Sequence, residues 1–94
     1  MFILDLTYIK PIAEADAHME PHMAWVQEGY DRGLFLASGR KNPRTGGVIL
    51  ASGNREAIEA YCAADPFTIH GIADYRITEM AVTRTAEGLE ALKD

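Results

Sequence analysis

The chain is poor in the features that commit a protein to an obvious chemistry. It has one cysteine, Cys62, so no intrachain disulfide can form. That agrees with a reducing compartment, and a cytoplasmic location is expected. It has no basic run: 9 Lys and Arg stand against 14 Asp and Glu, for a net charge of −5. A long-range field for phosphate is excluded, and no nucleic-acid partner is expected. Arg40, Lys41 and Arg44 lie close in sequence but read as the solvated tip of a hairpin. No apolar run reaches membrane-spanning length, so no membrane partner is expected. The opening segment, Phe2 to Ile9, contains Asp5 and lacks a basic leader, which makes it a strand and not a signal peptide. Gly46-Gly47 is not followed by the lysine and hydroxyl of a phosphate loop, and no serine stands in a nucleophile-elbow context.

What is present is the material of one small domain. With 94 residues, 48% of them apolar, the chain fits a single core. One domain is expected over residues 1–94, with a core at about 2–83 and a tail at 84–94. A chain this short buries a modest share of its surface, and a dimer is a common remedy.

The pattern gives the order of elements. Phe2 to Ile9 alternates, with Phe2, Leu4, Leu6 and Tyr8 on one side and Ile3, Asp5, Thr7 and Ile9 on the other. Pro21 splits the following helical stretch, since proline suits a first turn and not an interior. A short turn is expected over 13–18 and a main helix from Met19 to Arg32, stopped by Gly33. Met19, Met23, Val26 and Tyr30 recur at helical spacing and form the expected core stripe. Leu34 to Arg40 and Val48 to Ser52 make a hairpin around a Pro- and Gly-rich turn. Asn54 caps a second helix that carries Ile58, Tyr61 and Cys62 on one face and stops before Pro66. Cys62, among apolar neighbours, is an inert core residue. One helical turn over 67–71, a long strand from Ala73 to Val82 and a loose helix from Ala86 to Lys93 complete the chain. The order β-α-β-β-α-β is the α+β, ferredoxin-like split βαβ, a four-stranded antiparallel sheet with both helices on one face. The other face is mixed, apolar at Ile3 and Ile9 and polar at Asp5 and Thr7. A second copy packing there would make a homodimer with a polar cleft at its edge.

Two residues invite chemistry. His22 follows Pro21 in the first helical turn, about 80° round from the stripe. There the helix dipole favours a neutral imidazole, which can serve as a general base; a boundary histidine bonded locally is the alternative. Asp65 projects onto the apolar face of Ile58, Tyr61 and Cys62. A buried carboxylate needs a partner. It either caps the turn at Pro66-Phe67 or meets a histidine, and one carboxylate can do both. Ser38 and Arg40 share a strand face, where a hydroxyl and a guanidinium can hold a carboxylate or phenolate substrate; a plain polar strand end is the alternative. His18 and His22 are four apart, as in some metal pairs, but Pro21 spoils the regular turn and no metal site is expected.

Taken together, Pro21-His22, Gly33-Leu-Phe-Leu-Ala-Ser-Gly-Arg40, Thr45-Gly-Gly-Val-Ile-Leu50, Asp65-Pro-Phe67 and Ala73-Asp-Tyr-Arg-Ile-Thr-Glu79 resemble the YciI-like (YCII-related) family over roughly residues 2–83. The resemblance implies a dimeric α+β barrel in which two sheets pack face to face. It implies that His22 and Asp65 form an acid–base pair in a cleft, with Ser38 beside them, and that no metal or organic cofactor takes part. The family includes a lyase activity that removes chloride from a chlorinated hydroxyquinol, and related barrels include muconolactone isomerases. The function expected is a cofactor-free lyase or isomerase acting on a small molecule, unspecified by the sequence. The alternative is a small-ligand-binding or accessory module in which the pair is structural.

Overall fold

A computed structural model describes residues 1–94. The elements are β1 (Phe2–Tyr8), α1 (Ile12–Ala17), α2 (Met19–Asp31), β2 (Phe35–Arg40), β3 (Gly46–Ala51), α3 (Arg55–Ala63), α4 (Pro66–Ile69) and β4 (Ala73–Glu79). The four strands form one antiparallel sheet in the order β2-β3-β1-β4, and the helices cover one face. This is the ferredoxin-like α+β arrangement that the strand and helix patterns predict.

Local chemistry sets the boundaries. Pro21 is the third residue of α2, where its missing N–H has no intrahelical acceptor to lose. Gly33, at φ 74°, ends that helix in a conformation that costs glycine nothing. Asn54 accepts from the Ala57 amide at 2.8 Å and caps α3. At the hairpin, the Lys41 amide donates to the Gly46 carbonyl. A side chain at Gly46 would meet the Leu6 carbonyl oxygen, so the two strands approach there only because residue 46 is glycine.

The core lies between the helices and the inward side of the sheet. Phe2, Leu4, Ile49, Ala51 and Ile58 are buried in it, and Trp25 and Tyr61 lock α2 to α3. The Trp25 Nε1–H donates to the Tyr61 carbonyl at 3.0 Å, and the Tyr61 hydroxyl donates to the Trp25 carbonyl at 2.7 Å. Gly29 lets Phe35 seat against α2, since a Cβ there would fall inside the Phe35 ring contact at 2.3 Å.

Three expectations are corrected. The buried stripe of α2 is His22, Trp25, Val26 and Gly29, and Met23 is 52% exposed. The indole of Trp25, bonded across to α3, sets the rotation of the helix, which turns Met23 outward and His22 inward. The last strand stops at Glu79 because no neighbouring strand continues beyond the Phe2–Glu79 pair. The C-terminal helix reduces to a single 3-10 turn, Glu90–Leu92, with no buried residue to hold a longer one.

A register shift between Phe35 and Ala37 places one extra residue in β2. Phe35 pairs with Ala51 on the helix side, and after the bulge Ser38 pairs with Ile49 and Arg40 with Gly47 on that same side. Without it, Ala37 and Gly39 would take those places. On the opposite, uncovered face lie Ile3, Asp5, Thr7, Val48 and Leu50. Lys41 bends over this face to Asp5 and to Thr7, and Arg44 reaches Asp16, so neither cation solvates the hairpin tip as the sequence suggested.

Candidate active site

The site is built on Asp65, whose side chain is completely buried. Burying a carboxylate without partners is costly. Here three donors from three elements meet it. The Phe67 amide, in the first turn of α4, donates to Oδ1 at 3.0 Å, so Asp65 is the N-cap of that turn. His22 Nδ1, from α2, lies 2.8 Å from the same oxygen. The Tyr75 hydroxyl, from β4, donates to Oδ2 at 2.6 Å. The two alternatives for Asp65, cap and histidine partner, are realised together.

This network fixes the protons. A carboxylate accepts only, so the His22 Nδ1 bears a hydrogen, and in the neutral ring Nε2 is the nitrogen with the lone pair. Nε2 has no partner elsewhere in the chain. The imidazole is 7% exposed and lies parallel to the Phe67 ring at 4.0 Å, with Trp25 stacked at 5.8 Å. Both stacking partners restrict the ring to one plane. Burial, and then the adjacent Asp65 carboxylate, push the Tyr75 hydroxyl well above its ordinary value, which keeps it a neutral donor. Burial and the same carboxylate push the Cys62 thiol up to about 12, so it is a protonated core residue and no nucleophile.

His22 forms part of the wall of a cavity of about 630 Å³ between α2 and the β2–β3 hairpin. That size suits a small organic molecule. Met19, Met23, Val26, Leu6 and Ile49 give it apolar walls, and Gly47 also lines it. Ser38 and Arg40 both line it, aimed there by the bulge in β2. The Ser38 hydroxyl shares a hydrogen bond of 2.7 Å with the Tyr30 hydroxyl. The four site residues predicted from sequence therefore divide into a bonded pair, His22 with Asp65, and two wall residues. His18 is not drawn to His22. Its ring lies 4.3 Å from that of His70, tilted by 37°, and no three His, Cys, Asp or Glu side chains are grouped to hold a metal ion.

Tyr75 escaped the sequence reading. Two signals pointed to it: β4 alternation puts residue 75 on the helix side opposite Leu6, and a tyrosine turned inward needs a hydrogen-bond partner. Arg44, also on the cavity wall, was read as hairpin surface.

The model of the YCII-related domain matches residues 1–81. No curated protein matches the sequence. Among solved structures, the fold is similar to 5-chloro-2-hydroxyhydroquinone dehydrochlorinase from Burkholderia phenoliruptrix AC1100, in complex with 2,5-dihydroxybenzoquinone. The TM-score is 0.70 at 14% identity, covering 85% of this chain and 93% of that one. At that identity the likeness is one of fold. No helix is long and apolar enough to cross a membrane. With the domain model spanning nearly the whole chain, the protein belongs to the YCII-related family.

Proposed function

We propose that the protein is a cofactor-free lyase or isomerase for a small polar or aromatic compound, with His22 as the proton-transferring group and Asp65 as its partner. The observation that carries this reading is the hydrogen bond from His22 Nδ1 to a buried carboxylate, which leaves Nε2 as the ring nitrogen without a partner in a residue that lines the cavity. Nε2 takes a proton from a C–H or O–H of the bound molecule. The electron pair left behind forms a double bond and either expels a leaving group with its own pair or is reprotonated at another carbon by the imidazolium. The first course is an elimination and the second an isomerisation; neither needs an oxidant. Asp65 stabilises the imidazolium, and Tyr75 and the Phe67 amide hold Asp65 in place. Arg40 binds an anionic group and Ser38, bonded to Tyr30, orients it. The similar fold of a dehydrochlorinase is an analogy that favours the elimination.

The test is chloride release from chlorinated hydroquinones, together with isomerisation of small unsaturated lactones. Any turnover found falls about 10²- to 10⁴-fold in His22→Ala. An unchanged rate refutes the reading.

A second reading has its own support. Asp65 joins α2, α4 and β4, so the network can serve as a fastener in a ligand-binding module. In that case His22→Ala leaves ligand binding intact and no substrate is turned over. We further propose a homodimer through the uncovered sheet face, where Ile3, Val48 and Leu50 are half-buried beside Lys41, and a cytoplasmic location. Light scattering checks the dimer against the 10.4 kDa chain.

A further inference from the structure

The cavity has a charge pattern that proton transfer by His22 does not use. The chain as a whole is acidic, with a net charge of −5. Yet no unpaired carboxylate lines this space. Asp16, the one acid on the wall, is held by Arg44. Two guanidinium groups remain. Arg40 has no acidic partner, whereas Arg32 and Arg55 are paired with Glu28 and Glu59. Arg44 donates one terminal nitrogen to Asp16, but its Nε–H is buried and has no acceptor in the chain. An unpaired buried donor is costly and calls for an explanation. Beside these groups the wall is apolar and sulfur-rich. Met23 is left 52% exposed there, and methionine adapts well to a flat ligand.

We propose that the cavity takes a small organic monoacid in its ionised form. Its carboxylate lies at the hairpin end, on Arg40 and the Nε–H of Arg44, and its apolar body runs along Met19, Met23 and Val26 towards His22. The guanidinium fork matches a carboxylate in shape and charge. A neutral phenol or amide would leave Arg40 without a counter-charge, whereas Arg44 keeps that of Asp16 and needs only an acceptor for its Nε–H. A diacid would bring a second charge for which the wall has no free cation. This inference rests on the cavity being the substrate site, but it concerns what the site holds and not what His22 does to it.

The test is a calorimetric titration with benzoate, benzamide and inorganic sulfate. It uses the wild-type protein, Arg40→Gln, Arg40→Lys and Arg84→Gln, each checked for its fold by circular dichroism. Benzoate binds the wild type, and benzamide at least tenfold more weakly. Arg40→Gln loses about tenfold or more in benzoate affinity, and Arg40→Lys recovers part of it. Arg84→Gln, outside the cavity, keeps its benzoate affinity within a few-fold. The proposal is overturned if benzoate does not bind, if benzamide binds as tightly, if sulfate competes equally, or if Arg40→Gln binds benzoate like the wild type. Failure of the proton-transfer reading would show elsewhere, as unchanged turnover in His22→Ala, and would leave this titration as it stands.

Discussion

The two ends of the cavity are built on opposite plans. At the inner end, α2, α4 and β4 each send a donor to Asp65, and both carboxylate oxygens are occupied. The histidine is stacked, oriented and nearly closed off from solvent. At the hairpin end, Arg40 projects from the exposed part of edge strand β2, and the buried Nε–H of Arg44 has no acceptor. One end is complete in itself. The other has donors to spare. Groups that must keep a geometry through a reaction are fixed by their own fold, whereas groups that receive a ligand stay unsatisfied until it arrives.

The contrast is broken most severely at Asp65. Asp65→Ala leaves three donors from three elements without an acceptor, and the stability loss in urea is about 3–5 kcal/mol. Asp65→Asn retains an acceptor for the Phe67 amide but removes the charge, and loses less. Tyr75→Phe comes next. It removes one hydrogen bond to a carboxylate at a partly buried position, for about 2 kcal/mol in the same measurement.

Raising the pH acts on the buried hydroxyl and thiol groups of the core and of the inner end. Burial, with help from Glu28, pushes the Tyr61 hydroxyl up from 10.0 to about 12, and the Cys62 thiol rises from 9.0 to about 12. Tyr75 is also raised, by burial and by Asp65. In each case the unfolded chain releases its proton first, so stability is fully present below the unfolded values and declines as pH rises through about 9 and then 10. Urea midpoints between pH 8 and 11 follow this decline, and Tyr75→Phe makes it shallower above pH 10. The smallest effect on stability belongs to the hairpin end. Arg40→Gln shifts the unfolding free energy by no more than about 0.5 kcal/mol, because the side chain is exposed and has no partner in the chain. A large loss there would mean that both ends are structural.

Much of this was legible in the sequence, for identifiable reasons. The alternation of Phe2 to Tyr8, the proline and glycine that bound α2, and Asn54 before α3 are local signals, and the elements stand where they indicate. Asp65 was legible because an acid on the face of Ile58, Tyr61 and Cys62 contradicts its surroundings. Tyr75 was not, because its bond to Asp65 exists only once β4 lies beside β1 and beneath α4. Met23 misled because its spacing from Met19 and Val26 is helical, while the rotation of α2 is decided by a bond from Trp25 to another helix. Gly47 is legible as part of the hairpin turn, but only the fold shows that a side chain there would meet the Gly39 carbonyl oxygen of β2, at 2.9 Å.

The central claim is that Asp65 fixes the proton of His22 on Nδ1 and leaves Nε2 as the base. Nitrogen-15 NMR of the imidazole in the ligand-free protein, at a pH where the ring is neutral, tests it without knowledge of the substrate. A single Nδ1–H tautomer is expected for His22, lost in Asp65→Ala, which removes the acceptor. A His22 that carries its proton on Nε2, or that exchanges freely between tautomers, would contradict it.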